Sequence, residues 1–279
     1  SFISGIGPNS QVISLVIQPD GKILIVGQFT LYDGIARNRI ARVNSDGTLD
    51  LTFNPGTGAN AAVSTILLQT DGKMIISGTF TSYNGTARNR IARVNSDGTL
   101  DTLFNAGSGI NNNGNIPAIF TTILQPDGRI VVGGAFTTFN GIPKNHIVRL
   151  EVDGTLDSTF NQGAGPYHFM NNARIQTTAI QQDGKIVIGG SFTEYNGTLR
   201  NHIARINTDG TLDTLFNPGQ GASDVVSRSI IQADGKIIIT GLFFYFDQSS
   251  IGLNLSARHI VRINMDGSQD QSFDPGTAF

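Results

Sequence analysis

The segment Ile66–Phe104 (ILLQTDGKMIISGTFTSYNGTARNRIARVNSDGTLDTLF) decides the fold, because nearly every residue type in it recurs at matching places elsewhere in the chain. An Asp-Gly-Lys/Arg turn begins at Asp20, Asp71, Asp127, Asp183 and Asp234. A second Asp-Gly turn begins at Asp46, Asp97, Asp153, Asp209 and Asp266. A Phe-x-x-Gly element closes each unit at Phe53, Phe104, Phe160, Phe216 and Phe273, and also opens the chain at Phe2–Gly5. A period of roughly 50 residues indicates an array of one supersecondary unit.

Each unit is expected to contain four short strands. In unit two they are predicted at Val63–Gln69, Lys73–Phe80, Arg90–Asn95 and Thr99–Phe104, rich in Ile, Val, Thr and Phe and bounded by Gly, Asn and Asp. Tight Asp-Gly turns make neighbouring strands antiparallel, because Asp bonds its own backbone and Gly supplies the left-handed residue. Helical periodicity is absent, and glycine-rich turns recur too often for a helix.

Repeated four-stranded meanders of this length predict an all-β fold, a β-propeller with five antiparallel blades; an open β-solenoid is the alternative. The expected units span residues 12–58, 63–109, 118–165, 174–221 and 225–276 of one domain over residues 1–279. The Phe-x-x-Gly element occurs once more than a closed ring of five requires. The surplus element indicates either an overhang that seals the ring or an excerpt of a larger array. Since the chain starts at Ser1 inside a repeat element, we expect a processed or truncated chain.

Composition narrows the function. A net charge of −2, with 14% charged residues, gives no electrostatic footprint for nucleic acid or an anionic membrane. The sequence has no Cys, so a disulfide framework, a zinc-thiolate site and a cysteine nucleophile are excluded. No stretch reaches the roughly 18 apolar residues of a membrane helix, and the first residues do not resemble a signal peptide.

Variation in loop length is predicted to fall on one face of the array. Connections in a blade alternate between two faces: the Asp-Gly turns share one, and the strand two–three loops share the other with the inter-unit links. The longer segments are Ile110–Pro117, Pro166–Asn172 and Asp247–Leu255. Insertions in repeat proteins often gather on a binding face, although neutral variation in tolerated loops is the alternative. The candidate ligand-binding residues are Asn111, Asn112, Asn113, Tyr167, His168, Phe169, Asp247, Gln248, Ser249 and Asn254.

Within this set, the exposed aromatic residues beside His168 suit a sugar or a protein surface. Phe169 has an alternative role, in which it plugs the top of the central channel.

The segment Arg42-x-Asn44-x-Asp46-Gly47-x-x-Asp50 resembles a calcium loop, but its first ligand position is Arg in every unit. A guanidinium at that position argues against calcium, so no metal is predicted. We expect each Arg to pair with loop oxygens or with the Asp that ends its motif. The predicted structural pairs are Arg42 and Asp50, Arg93 and Asp101, Arg149 and Asp157, Arg205 and Asp213, and Arg262 and Asp270.

Catalytic signals are weak. His146, His202 and His259 share one repeat position that holds Arg39 and Arg90 in the first two units, which favours a structural role. No nucleophile elbow, zinc motif or phosphate loop is present. Asp224 and Asp247 are the one irregular carboxylate pair that a glycosidase could use. The sequence therefore predicts that the chain is not an enzyme and needs no cofactor.

The pattern Gln-x-Asp-Gly-Lys-Ile-x-x-x-Gly-x-Phe-Thr, then Asn-Gly, then Arg-Asn-x-Ile-Ala-Arg-x-Asn-x-Asp-Gly-Thr-Leu-Asp-x-x-Phe-Asn-Pro-Gly, resembles the delta-60 repeat. That is a β-propeller repeat of large bacterial surface and secreted proteins and of some phage proteins. The resemblance spans all five units, although unit five departs from it at Phe244 and in the loop after Asp247. It implies an extracellular or virion-associated interaction domain and supplies no catalytic residues.

Two functions follow as predictions. The first is a non-enzymatic module at a cell surface, in a secreted protein or on a virion, which presents its variable face to a cell-surface glycan or protein. The second is a structural spacer or assembly domain, which contacts other subunits of a larger assembly through its uniform Asp-Gly face. Neither involves nucleic acid or membrane insertion.

Overall fold

A computed structural model describes residues 5–114, 116–170, 172–247, 259–274 and 276. The described chain is built from strands and turns without a helix. Units one and two each contain three strands of four to six residues and a hairpin of two short strands. They are β1 (Val12–Ile17), β2 (Ile23–Gly27), β3 (Leu31–Tyr32), β4 (Ile35–Ala36), β5 (Ile40–Val43), β6 (Val63–Leu68), β7 (Met74–Gly78), β8 (Ser82–Tyr83), β9 (Thr86–Ala87) and β10 (Ile91–Val94).

Units three and four each gain one short strand from the link that precedes them, and unit five retains three described strands. They are β11 (Ile110–Asn111), β12 (Ala118–Leu124), β13 (Ile130–Ala135), β14 (Thr138–Phe139), β15 (Ile142–Pro143), β16 (Ile147–Leu150), β17 (Pro166–Tyr167), β18 (Ile175–Ile180), β19 (Ile186–Gly190), β20 (Glu194–Tyr195), β21 (Thr198–Leu199), β22 (Ile203–Ile206), β23 (Val226–Ile231), β24 (Ile237–Gly241) and β25 (Ile260–Ile263).

The three longer strands of each unit form one antiparallel sheet. In unit one the order is β1-β2-β5, and the same order of inner, middle and outer strand recurs in every unit. The inner strands are β1, β6, β12, β18 and β23. A bulge near the start of each inner strand shifts its register, as between Val63 and Thr65. The chain is thus an all-β protein with five propeller blades.

The fourth strand of each blade is shorter than the sequence predicts. In unit two the segment predicted as Thr99–Phe104 pairs at a single bridge, between Val94 and Leu100. The physical reason is Asp101, whose carboxylate accepts a hydrogen bond from the Leu103 N–H while its carbonyl accepts one from the Phe104 N–H. These local bonds bend the chain into a turn immediately after the bridge.

Two glycine positions of the repeat have clear physical roles. Asn84 and Gly85 both have positive φ, 46° and 76°, and they join β8 to β9 as the two-residue hairpin turn that such residues favour. Gly78 ends the middle strand beside the bulge, where an added Cβ would overlap the backbone carbonyl oxygen of Ala62. A side chain therefore cannot replace Gly78 without moving the inner strand away.

The hydrophobic core lies between the units. One core joins Leu24, Val26 and Ile40 of unit one to Met74 and Ile76 of unit two. The Phe that closes each of units one to four enters the core it shares with the next unit, as Phe104 does with residues of unit three. A single unit therefore leaves both sheet faces without a partner, which is the usual condition of repeat proteins.

The inner strands pack against one another in series, β1 on β6, β6 on β12, β12 on β18 and β18 on β23. Strands β23 and β1, both within the described chain, do not share such packing. Among the described residues, the five blades therefore form a series whose first and last inner strands do not pack on each other.

The two kinds of Asp-Gly turn lie beside each other on one face. A Cβ at Gly72 in the first turn of unit two would lie 3.6 Å from the Ser96 side chain in the second turn. On the other face, the inter-unit links meet the hairpins, as where Ala59 bridges Tyr83. This arrangement matches the alternation of connections that a meander requires.

A buried arginine joins each unit to the next. The Arg93 Nε donates to the Asp101 carboxylate at 2.8 Å, and its guanidinium carbon lies 5.1 Å from the centre of the Phe104 ring. Its Nη1 donates to the backbone carbonyl of Val152 in unit three at 2.6 Å. Lys73 adds a second cation to Asp101 at 2.9 Å. We call this group of contacts the arginine latch.

Latches with the same inter-unit donation occur at four junctions. The donor and acceptor pairs are Arg42 with Ser96, Arg93 with Val152, Arg149 with Thr208, and Arg205 with Met265. In unit five Arg262 keeps its Asp270 and its Phe273 ring. Its described hydrogen bonds all stay within unit five, and its side chain is 21% exposed, compared with 8% for Arg93.

The latch carboxylates are held in the ionised form. Burial alone would raise the pKa of Asp101, but hydrogen bonds from Lys73, Arg93 and the Leu103 N–H outweigh it, and the pKa lies below its usual value. The pKa is lowered in the same direction at Asp50, Asp157, Asp213 and Asp270.

We predict that Arg93→Ala lowers the free energy of unfolding by about 3 kcal/mol, as expected for a broken buried ion pair whose anion keeps Lys73 as a partner. Urea unfolding followed by circular dichroism measures the change. Arg262→Ala is the matched control, because this Arg is more exposed and its described bonds do not reach another unit. Equal losses in the two variants would contradict a latch that joins units.

We predict that acid destabilises the fold through the latch carboxylates. Since their folded-state pKa lies below the unfolded value near 3.9, the stabilisation is present above about pH 4 and is lost as the pH falls further. The urea midpoint should stay constant from neutral pH to about pH 5 and then decline. Asp101→Asn removes one titrating group, so it should unfold more easily at neutral pH and show a shallower acid decline. An unchanged acid slope in this variant would count against the assignment.

We predict that added calcium leaves the melting temperature unchanged. The Asp101 Oδ2 accepts from both Lys73 and Arg93, and Oδ1 accepts from the Leu103 N–H. The two cations stand where a metal would have to bind. Differential scanning calorimetry with calcium and with a chelator tests this prediction, and a large calcium-dependent rise would show that these oxygens are metal ligands.

Candidate functional site

A cleft of about 1010 Å³ opens between units three and four on the face that carries the inter-unit links. Asn112 and Asn113 form one wall and belong to the longer link before unit three. Tyr167 and His168 form the opposite wall and belong to the longer link before unit four. Two insertions that are separated in sequence thus border one space.

Short strand pairs fix both walls. Strand β11 pairs with β14, so that Ile110 lies opposite Phe139. Strand β17 pairs with β20, so that Tyr167 lies opposite Glu194, and the Thr193 N–H donates to the Tyr167 carbonyl. Each insertion is therefore anchored at the hairpin of its own unit.

The base and sides of the cleft mix aromatic, amide and charged groups. Phe120 comes from the inner strand β12, Asn145 and His146 precede β16, and Arg174 and Glu194 belong to unit four. Burial lowers the pKa of His146 to about 4, with the nearby Arg174 acting in the same direction and the backbone at Gly134 opposing it. His146 is therefore neutral at physiological pH.

The next junction shows what the insertions add. Between units four and five, a cleft of about 230 Å³ is lined by Asn201 and His202, the repeat counterparts of Asn145 and His146. Ser223 stands there in the place of Tyr167, and Tyr245 stands in the place of Glu194. A cleft at the boundary between two units, which we call the seam, is thus a property of the repeat. The inserted walls enlarge the seam between units three and four.

Two neighbouring candidates, Asn111 and Phe169, are not among the residues that line the cleft. Asn111 belongs to β11, and its side-chain oxygen accepts a hydrogen bond from the Asn112 N–H. Phe169 is 65% exposed and stacks on His168, with ring centres 4.7 Å apart. The alternative in which Phe169 plugs a channel is therefore wrong, because a plug would be buried. Met170 is exposed beside it.

Asp247 occupies a regular repeat position. Its carboxylate accepts from the Gln220 N–H, just as the Asn84 side chain accepts from the Thr57 N–H. Both residues have positive φ of 46°. Asp247 looks irregular in the sequence because the Asn-Gly pair is missing, but it holds the same backbone position as Asn84. Gln248, Ser249 and Asn254 lie outside the described residues. The ligand-binding role of the candidates stays a prediction.

The three repeat-position histidines share a backbone conformation. His146, His202 and His259 have φ values of 63–64°, and Arg39 and Arg90 have φ values of 67–68°. His202 and His259 also bring Nδ1 within 3.1 Å of a backbone carbonyl in the same unit. Across the described ranges, no group of three or more His, Cys, Asp or Glu side chains is placed to hold a metal ion.

Several residues of the cleft and the latch were not identified from the sequence. Phe120 stands at an inner-strand position that holds Ser64, Gln176 and Ser227 in other units, so a break in the repeat pattern was the available signal. The Lys of the first Asp-Gly turn was interpreted as a turn residue alone. Its recurrence at Lys22, Lys73, Lys185 and Lys236, each paired with a latch Asp, was the missed signal.

Solved structures show the same fold at low sequence identity. The WD40 β-propeller domain of Doa1 is 15% identical with a TM-score of 0.53, and the match covers 92% of this chain and 64% of that one. The extracellular domain of a candidate hybrid two-component system from B. thetaiotaomicron is 13% identical with a TM-score of 0.52, covering 89% of this chain and 30% of that one. This chain therefore spans less than two thirds of either protein.

A third structure contradicts one prediction made from the sequence. A candidate gluconolactonase is 14% identical with a TM-score of 0.51, and the match covers 96% of this chain and 81% of that one. The prediction that the chain is not an enzyme is wrong, because the absence of known catalytic motifs does not exclude catalysis by a propeller. A propeller of this kind is described as an enzyme, and at this identity the likeness shows the fold alone.

Among the described residues there is no helix with the length and apolar composition needed to cross a bilayer. No curated protein has a sequence that matches this chain. The sequence profile of a family described as a domain of unknown function (DUF5122) β-propeller matches residues 18–53, 69–104, 125–160, 181–216 and 232–273. These five segments make up more than half of the chain and correspond to the five units. The chain belongs to the DUF5122 β-propeller family.

Proposed function

We propose that this protein is a binding module whose cleft between units three and four takes a neutral, polar ligand, best represented by a glycan. The observation that carries the proposal is the local enlargement of a repeated seam. The seam has a volume of about 230 Å³ at the junction of units four and five, and about 1010 Å³ where both walls are extended. The larger volume is at the upper end of the usual range for small-molecule sites.

The chemistry of the walls supports a sugar. Asn112, Asn113 and Asn145 bring side-chain amides to the cleft, and an amide can both donate to and accept from a hydroxyl group. Tyr167 and Phe120 bring aromatic rings, which offer flat apolar surfaces for the C–H face of a sugar ring. The mixture of one carboxylate, Glu194, and one guanidinium, Arg174, gives no net preference for a charged ligand.

The setting of the module is part of the proposal. We place it in a cell-surface or secreted protein, as the delta-60 resemblance of the repeat implies, and a similar propeller serves as the extracellular domain of a B. thetaiotaomicron protein. Residence on a virion stays a prediction from that resemblance. A protein ligand in place of a glycan, and a spacer role, are the competing functions.

We predict that the chain binds a subset of glycans on an array and that Tyr167→Ala weakens binding at least about tenfold, equivalent to about 1.4 kcal/mol. Asn112→Ala should weaken it as well, because the opposite wall is lost. Isothermal titration with the best array glycan gives the affinities.

Tyr245→Ala is the matched control. Tyr245 lines the smaller cleft between units four and five, and its side chain is about as exposed as that of Tyr167, 43% against 47%. This variant should bind as the unmodified chain does. Equal losses in both tyrosine variants, or an array without a bound glycan, would reject the proposed glycan site. Capture of a protein through the same two walls would favour the competing protein ligand.

A further inference from the structure

Three of the four junctions between units share one construction at the inner strands. We call the side of a unit that faces the following unit downstream, and the side that faces the preceding unit upstream. A hydroxyl on the downstream side of one inner strand meets a hydroxyl on the upstream side of the next inner strand. The oxygen pairs are Thr65 with Thr122 at 3.3 Å, Thr121 with Thr178 at 2.6 Å and Thr177 with Ser229 at 3.0 Å. Alternate residues of an inner strand therefore face the preceding and the following unit, as the two-residue period of a strand requires.

The upstream face of unit one has no such neighbour among the described residues. Ile13, Leu15 and Ile17 of β1 occupy the positions that Ser64, Ile66 and Leu68 hold in β6. Ile66 and Leu68 pack against the core shared with unit one, whereas Leu15 is 56% and Ile17 is 64% exposed. Three apolar side chains on one strand face form the end that we call the head.

The downstream face of unit five is uncovered in the complementary way. Ile230 of β23 is 59% exposed. Ile238 and Ile260 are half-buried, although their counterparts Ile75 and Ile91 in unit two are fully buried by unit three. We call this face the tail. Arg262 lies at the same end, with its described hydrogen bonds confined to unit five.

We propose that the head of one copy of this chain binds the tail of a second copy. The occupant follows from continuity with an interface that the chain already contains, because a downstream inner-strand face packs on an upstream one at each of its four junctions. A second copy presents these two faces with matched strand spacing, and the exposed Ile230 of the tail lies beside Arg228, which stands at the position of Thr65 in unit two. Exposed contiguous apolar surface of this kind marks protein interaction sites.

The N-terminal segment limits how much of the face a second copy can cover. The Gly7 N–H donates to the Asp33 carboxylate at 2.7 Å, and Pro8 bridges Tyr32. This segment fills the outer corner of unit one, as the link from unit one fills the corner of unit two. The region around Asp274 of the second copy must therefore stay outside that corner. The contact is confined to inner and middle strands and is expected to be weak and concentration-dependent.

A head-to-tail contact has a distinctive consequence. The two partners use different faces, so each dimer still carries one free head and one free tail. Leu15→Lys removes the head but keeps the tail, because the new charge would meet the like charge of Arg228 in the second copy. Ile230→Glu removes the tail but keeps the head. Each variant alone should stay monomeric, and an equimolar mixture should form dimers and no larger species.

Sedimentation velocity of the full chain across a hundredfold range of micromolar concentrations tests the proposal. The unmodified chain should associate with increasing concentration, and each single variant should lose affinity at least about tenfold. Leu103→Glu is the control, since Leu103 is exposed on the Asp-Gly face of unit two, away from both ends. Circular dichroism and melting temperature should show that all variants fold, because both substituted side chains are largely exposed.

Three outcomes would overturn the proposal. The first is a chain that stays monomeric at every concentration. The second is association that persists in both the Leu15→Lys and the Ile230→Glu variants. The third is an equimolar mixture of the two variants that stays monomeric.

Discussion

The fold depends on a guanidinium buried at the boundary between blades. Arg93 meets a carboxylate and an aromatic ring of its own unit and a main-chain carbonyl of the next. Without that carboxylate the buried cation would be costly, and without the carbonyl only apolar packing would join the two sheets there. The latch also shortens the fourth strand, because the Asp that accepts the arginine bends the chain at the same point.

The latch and the cleft lie on opposite faces, and that separation accounts for how the protein can vary. The Asp-Gly face repeats with the same turns in each unit, since its oxygens hold lysine and arginine in place. On the other face the links are anchored at the short strand pairs, such as β17 with β20, and at the hairpin turns, where the Asn84 side chain accepts from the Thr57 N–H. Residues between those anchors can lengthen without disturbing a core, and two such lengthened segments produce the deep cleft beside His146.

The sequence predicts the fold more fully than it predicts the candidate site. The antiparallel five-bladed architecture could be predicted from the turn residues, the strand composition and the repeat, because each is a local property that recurs in all five units. The Arg93 and Asp101 pairing was also accessible, since a fixed spacing holds them together. The cleft was not, because its walls belong to different units and only packing places Asn112 near His168. Asp247 was misinterpreted since a backbone slot with positive φ can be filled without the usual Asn-Gly pair.

One detail of the latch has a genetic consequence. Its inter-unit acceptor is a main-chain carbonyl, so the side chain at that position is unconstrained, and it is Ser96, Val152, Thr208 and Met265 in successive units. Any unit therefore offers the same acceptor to any predecessor. Unequal crossing-over between such repeats can add or delete a whole blade in frame, and each new boundary between units would still have its arginine donor and carbonyl acceptor. The number of blades is therefore a trait on which selection can act directly.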